Sequence, residues 1–186
     1  MSRVLFPKIS TNQQQWLSVG DVHKIYVEQS GNIDGIPVVY IHGGPGGGCS
    51  SDYRRYFDPE KYNIILYDQR GCGRSKPSPS LSNNTIWELI NDLEIIREYF
   101  NIDKWLISGG SWGTTLALTY AIKHVARVKG FILRGVFLGT QIEYDWLYQP
   151  NGAARFFPEY YREFIEHLPE SLRSNPLAGY YQLLTS

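Results

Sequence analysis

An excess of charge of either sign is what this 186-residue chain lacks: 18 basic and 18 acidic side chains leave a formal net charge of zero. That balance excludes a nucleic-acid or anionic-membrane binder that works through bulk charge. Cysteine is scarce. Cys49 and Cys72 are too few for a disulfide framework, and neither has a partner at metal-ligand spacing, so no metal and no cofactor is expected. A single bridge between them stays open, because each follows a predicted strand. No stretch approaches the ~18 apolar residues of a membrane span. Met1 to Lys8 has neither the apolar run nor the small-residue cleavage site of a secretory signal. The expectation is a cytoplasmic chain with no nucleic-acid or membrane partner. Set against roughly 150 residues per domain, the length gives one domain and a little more. Internal repeats and low-complexity tracts are absent too.

What is present is a series of short apolar runs. Residues 16 to 29 alternate weakly about Gly20-Asp21, which predicts a hairpin with strands near Leu17 to Val19 and Lys24 to Glu28. Ile36 to Ile41 is continuous and β-branched, the pattern of a strand buried on both faces of a parallel sheet. Tyr62 to Tyr67, Trp105 to Ile107 and Val128 to Leu133 repeat it. Between the later runs lie helical patterns. Over 85 to 100, Ile86, Leu89, Ile90, Leu93, Ile96 and Phe100 follow helical spacing behind a Thr85/Glu88 capping box, and a second helix should span Trp112 to His124. Alternating strands and helices imply right-handed crossovers and a mostly parallel sheet with the hairpin as an antiparallel edge. From about Gln141, aromatic residues crowd between Pro150, Pro158, Pro169 and Pro176. Short helices laid over the sheet fit that segment.

Three loops carry chemistry. Gly109-Gly110-Ser111-Trp112-Gly113 fits G-x-S-x-G between a strand and a helix, the setting in which the serine is a nucleophile on a strained turn. Glycines two before and two after are needed because side chains there would strike the neighbouring strand and helix. His42-Gly43-Gly44-Pro45-Gly46-Gly47-Gly48 follows the first buried run. Cys49 stands where a phosphate loop needs lysine, and the dinucleotide fingerprint is not met. What remains is a loop of bare backbone N–H groups, suited to an oxyanion hole whose second donor is the Trp112 amide. His42 reads as a brace for that loop rather than a base. In Asp68-Gln69-Arg70-Gly71-Cys72-Gly73-Arg74-Ser75, Asp68 and Arg70 are expected to form a buried ion pair that fixes the turn, with substrate contact as the other reading.

Together and in this order, the three motifs resemble those of the proline iminopeptidases, which have the α/β-hydrolase fold and remove N-terminal proline from peptides. The resemblance continues through Leu133 to Phe137 and Gly152 to Glu159, and so covers nearly the whole chain. It implies an α/β-hydrolase fold, with residues 1–140 as the N-terminal part of the core and 141–186 as the beginning of a helical cap. It implies Ser111 as nucleophile, oxyanion amides from Gly44 and Trp112, and Arg134 and Phe137 near the substrate, a peptide with N-terminal proline. The family tends to have two aromatics between Trp146 and Gln149, where this chain has Leu147 in place of one.

A serine hydrolase of this fold takes its acid and then its base after the serine. His124 would lie about 20 Å along the following helix at about 1.5 Å per residue, too far to serve. Asp145 and His167 fall in the cap, where the resemblance gives them no role. The chain therefore reads as C-terminally truncated, with its catalytic Asp and His beyond residue 186 and no activity of its own. An esterase or other acyl hydrolase of the same fold, and a non-catalytic binding module, are the alternative readings.

Overall fold

The computed structural model describes residues 5–20 and 22–185. The readings made above on Met1 to Val4, on Asp21 at the hairpin turn and on Ser186 lie outside them. Two compact units divide the chain, residues 1–137 and 138–186.

In the first unit, the described residues form a six-stranded sheet from β1 (Thr11–Val19), β2 (His23–Gly31), β3 (Ile36–Ile41), β4 (Tyr62–Tyr67), β5 (Trp105–Ser111) and β6 (Val128–Val136). The order is β1-β2-β4-β3-β5-β6. β1 and β2 pair antiparallel, and β2 meets β4 antiparallel with Val27 opposite Tyr67. From β4 through β3 and β5 to β6 the pairing is parallel. This is the mixed sheet the alternation of elements implied. The hairpin is longer than its apolar pattern, because Thr11 to Gln15 stay outside the core and join β2 through the backbone ladder and through polar side chains, Gln13 Nε2 donating to Gln29 Oε1 at 2.7 Å and the Tyr26 hydroxyl to Gln14 Oε1 at 3.1 Å. A polar stretch of that kind leaves no period-2 signal to read.

The continuous runs have a direct physical cause, since successive side chains of a strand point to opposite faces and here both faces are dry. On one face Val39, Ile41, Ile65, Tyr67, Trp105 and Ile107 pack under α1 (Ile86–Tyr99) and α2 (Trp112–Lys123). On the other, Val38, Tyr40, Ile64 and Leu66 pack with Phe57, and Tyr53 of a 3-10 turn lies against them. β6 departs from this pattern, with Phe131, Ile132 and Val136 exposed by 41%, 48% and 54%.

Thr85 is the N-cap of α1, but the expected capping box is not formed. Its hydroxyl turns to the Glu88 carboxylate instead of a backbone amide. A complete box occurs elsewhere, where Thr140 and Glu143 cap α3 (Gln141–Tyr148) reciprocally. That helix opens the second unit, followed by α4 (Pro158–Glu166) and α5 (Pro176–Thr185). Pro158 and Pro176 each occupy the first helical position, where the missing N–H costs nothing. Among the described residues no helix is long and apolar enough to cross a membrane. Cys49 and Cys72 are both free thiols, so the bridge left open above is not made.

Candidate active site

β5 runs into α2 without a linker, and the residue at the junction is Ser111. Its backbone sits at φ 54 and ψ −127, an arrangement that costs a non-glycine residue of order 1–3 kcal/mol and persists only where surrounding structure enforces it. The enforcing contacts come from the adjacent strand. Because β3 pairs with β5, Ile41 lies opposite Gly109, and the chain leaving β3 passes directly beside the turn. A Cβ on Gly113 would stand 2.2 Å from the Ile41 carbonyl oxygen, and one on Gly43 would stand 3.3 Å from the Cβ of Ser111. The glycines let two backbones approach, and the serine is left as the exposed side chain at the tip.

The loop after β3 is braced from below. His42 is buried, its Nε2 accepts the Gln69 backbone N–H at 3.0 Å, and its Nδ1 lies 2.9 Å from the Gly43 carbonyl. Nε2 as acceptor leaves Nδ1 as the protonated nitrogen. Burial pushes the imidazole below its ordinary value of 6.5, so the ring is neutral at pH 7 and both nitrogens are committed to holding the loop. Gly44 has φ +125, and a Cβ there would fall 2.5 Å from the Gly46 nitrogen. Glycine takes that conformation readily where other residues are strained, and the turn closes with the Gly47 N–H donating to the Gly43 carbonyl at 3.2 Å.

The expected Asp68–Arg70 pair is not formed. Asp68 accepts from the Cys49 amide at 2.7 Å, the Arg74 amide at 2.8 Å, and Nε and Nη2 of Arg74 at 2.7 and 3.1 Å. Returning through its glycine-punctuated turn, the chain brings Arg74 back onto Asp68 and leaves no lone pair for Arg70. Burial alone would raise the Asp68 carboxyl, but the donors from Arg74 and Cys49 outweigh it and hold the group below its usual value. Arg74 extends to buried Glu28 at 3.2 Å, which also accepts from Arg54 at 2.7 Å and from the Tyr26 hydroxyl at 2.7 Å. Arg70 instead forms a bidentate pair with Asp92 of α1, at 2.6 and 2.7 Å, both side chains buried. Asp92 lies on the helix's buried face, where periodicity points only to apolar packing.

Arg134 and Phe137 both lie beyond Ser111 on the β6 side. A Cβ on Gly110 would fall 2.9 Å from Nη2 of Arg134, whose guanidinium faces the Tyr40 hydroxyl. Arg134 also lines a cavity of about 790 Å3 with Tyr40, Tyr56, Phe57, Ser108 and Ile132 on the second sheet face. Phe137 is held by its backbone: its N–H donates to Oγ1 of Thr114 at 2.9 Å and its carbonyl accepts from Oγ1 of Thr115 at 2.6 Å. Thr114 in turn donates to the Ser111 carbonyl at 2.8 Å. Neither threonine stands out in the sequence, since a hydroxyl after a glycine on a helix reads as ordinary. Gln69 is inconspicuous in the same way, although its side chain links His42 to Trp112.

The remaining histidines of the first unit are occupied elsewhere. Nε2 of His23 lies 2.6 Å from the Ser82 carbonyl, and His124 caps the far end of α2 from Ser111, with Nδ1 3.9 Å from Glu94. His167 belongs to the second unit, as do Asp145 and Leu147. Among the described residues no group of three His, Cys, Asp or Glu side chains is placed to hold a metal ion.

Comparison with known proteins identifies the fold family. Residues 36–185 match the family model for the alpha/beta hydrolase fold. The chain is 48% identical over 184 residues to a probable proline iminopeptidase of Leptolyngbya boryana, covering 99% of this chain and 57% of that protein. It is 49% identical over 179 residues to a proline iminopeptidase of Arabidopsis thaliana, covering 96% and 47%. The chain thus spans about half the length of the curated relatives it matches. Among solved structures, a proline iminopeptidase-related protein from Thermus thermophilus superposes with a TM-score of 0.56 at 22% identity, over 81% of this chain and 65% of that one. At that identity the likeness concerns the fold.

Proposed function

The chain belongs to the α/β-hydrolase fold family, and from that premise we propose that Ser111 is the nucleophile of a serine aminopeptidase that releases N-terminal proline from peptides. The observation that carries this reading is the exposed Ser111 held at φ 54 between a strand and a helix. A serine with only a structural task has no need of that backbone. In the reaction Ser111 Oγ attacks the carbonyl of the first residue, and the developing oxyanion is met by the amides of Gly44 and Trp112. The shortened peptide leaves as the protonated amine, and water then releases proline from the acyl-enzyme. No cofactor enters these steps. Arg134 and Phe137 are assigned to the substrate side, and a cytoplasmic site of action goes with a peptide substrate of this kind.

The serine still needs a base and an acid. Each histidine of the first unit is committed elsewhere, with His42 holding the loop, His23 on a carbonyl and His124 at the wrong end of α2. We therefore assign the catalytic Asp and His to polypeptide outside these 186 residues and expect the chain by itself to be inactive. The substrate class rests on the curated relatives named above.

The test is a chimera in which the remaining sequence of the Leptolyngbya boryana relative follows residue 186. Its hydrolysis of a prolyl arylamide and of a short acyl ester is measured beside the 186-residue chain. Arylamide hydrolysis by the chimera alone, lost in Ser111→Ala, is the expected result. Preference for the ester would point to an acyl hydrolase of the same fold. Equal activity in both chains would place a base within these residues.

A further inference from the structure

Three separate segments supply the candidate centre: the loop after β3 with Gly44, the loop after β4, and the β5–α2 junction with Ser111 and Trp112. The first and third touch through their glycines, and they are hydrogen-bonded through the second by one side chain. Gln69 is buried, and its Nε2 donates to the His42 carbonyl at 2.9 Å while its Oε1 accepts from Nε1 of Trp112 at 3.1 Å. Its own backbone N–H goes to His42 Nε2, and its carbonyl accepts from the Cys72 thiol at 3.1 Å. Every polar group of the residue is therefore used, and its amide bonds the indole of Trp112, one proposed donor residue, and the carbonyl of His42, two residues before the other.

We infer that Gln69 is a positioning residue that sets the separation of the Gly44 and Trp112 amides. The argument is geometric. An oxyanion hole works only when two donors converge on one atom, and a misplacement of about 1 Å is costly. These two donors sit on loops from different strands. A glycine-rich loop has the largest conformational freedom to lose, so sheet pairing up to Ile41 does not by itself fix Gly44. A planar amide offering one donor and one acceptor in opposite directions is the side chain suited to the link. Glutamate would lose the donor, and leucine or methionine would lose both. The indole of Trp112 has one N–H, and the bond to Gln69 orients the ring beside the serine. This inference rests on the proposed role of Ser111 only for its catalytic consequence.

The test uses the 186-residue chain at micromolar concentration. Backbone hydrogen exchange over residues 43–47 is compared in wild type, Gln69→Leu, Trp112→Phe and the double variant. Affinity for an alkylboronic acid, which adds to the serine oxygen as a tetrahedral anion once a base takes the hydroxyl proton, is measured in the chimera described above, which supplies that base, with Ser111→Ala as the blank. We expect each single variant to speed exchange of 43–47, and the double to add nothing further. Boronate affinity should fall at least about tenfold in both single variants, and Gln69→Glu should recover part of the loss by keeping the acceptor for Trp112. Gly43 also packs directly on the Ser111 turn, so an effect of Trp112→Phe on the loop is credited to Gln69 only where the double variant adds nothing to Gln69→Leu. Unchanged exchange of 43–47 in Trp112→Phe, or additive effects in the double variant, would overturn the inference even if Gln69→Leu fails to fold. Coupled exchange with no boronate bound by the chimera would keep the positioning role and remove the nucleophile assignment instead.

Discussion

β5 and β6 are neighbours in one sheet, both built from apolar runs, yet they live in different surroundings. Ile107 on β5 is fully buried under α1 and α2, while Phe131 opposite it and Ile132 beside it on β6 are 41% and 48% exposed. β5 has a strand on each side and a packed layer on each face. β6 has a strand on one side and, on its second face, the cavity lined by Ile132 and Arg134. The difference teaches that an apolar run records what a strand is suited to bury. Whether it is buried depends on which elements surround it. Ser111 stands on the well-enclosed strand, where backbone strain can be held, and Arg134 and Phe137 come from the less enclosed one.

The largest effect expected on the enclosed side comes from Asp92. Its bidentate pair with Arg70 ties the loop after β4 to α1 with both charges out of water. Removing one partner of such a pair strands the other charge and costs about 3–5 kcal/mol. Asp92→Ala is expected to lower the urea midpoint accordingly. A loss no larger than that of an exposed substitution would mean that water reaches Arg70.

Asp92 also marks where sequence reading stopped. The strands were legible because burial on both faces forces continuous apolar runs, and the turn at Ser111 because steric exclusion forces glycines at fixed spacing. Polar partnerships follow no such period. Asp68 and Arg70 are close in sequence, but the turn at Gly71 and Gly73 returns Arg74 to Asp68, and Arg70 finds a helix residue 22 positions away. Gln69, Thr114 and Thr115 were invisible for the same reason: Gln69 reaches the His42 carbonyl and the Trp112 indole, and the two threonines reach the Phe137 backbone, all on other segments. The capping pattern misled in the opposite sense. Thr85 and Glu88 have the spacing but turn their side chains to each other, while Thr140 and Glu143 satisfy the backbone.

A matched pair of truncations breaks the comparison most directly. Ile107→Ala leaves a cavity under two helices and is expected to cost about 2–5 kcal/mol. Ile132→Ala, one strand away, is expected to cost about 0.5 kcal/mol or less, as surface substitutions do. Denaturant midpoints of the two variants decide it. Equal losses would show that β6 is covered in solution.

Acidity separates the two regions by a smaller margin. His42 has its folded-state value lowered by burial, so between that value and 6.5 the unfolded chain binds more protons than the folded one. The contribution of the neutral ring is present above pH 6.5 and is lost as the pH falls through that window. Asp68, also depressed, contributes above its unfolded value near 3.8 and loses this as the pH falls further. Stability should therefore fall in two stages on acidification. His42→Gln should flatten the upper stage and leave the lower one. An unchanged upper stage in that variant would assign it to another group.

The smallest expected effect on stability concerns the outer edge of β6. A nine-residue strand paired on one side presents unbonded N–H and C=O groups, and here it also presents Phe131, Ile132 and Val136 to solvent. Such an edge recruits other chains unless charge or a bulge interrupts it, and on this strand the charges, Lys129 and Arg134, and the register shifts, at Lys129 and Gly135, lie towards its two ends and leave Gly130 to Leu133 uninterrupted. Ile132→Lys places a charge between them at a position already half exposed. It should leave the urea midpoint of dilute protein within about 0.5 kcal/mol of wild type. The concentration dependence of the sedimentation coefficient, expected in the wild type, should be reduced in the variant, because edge pairing would now bring like charges together. Equal concentration dependence in both proteins would exclude this edge as the associating surface, and the contrast between β5 and β6 would then be one of burial alone.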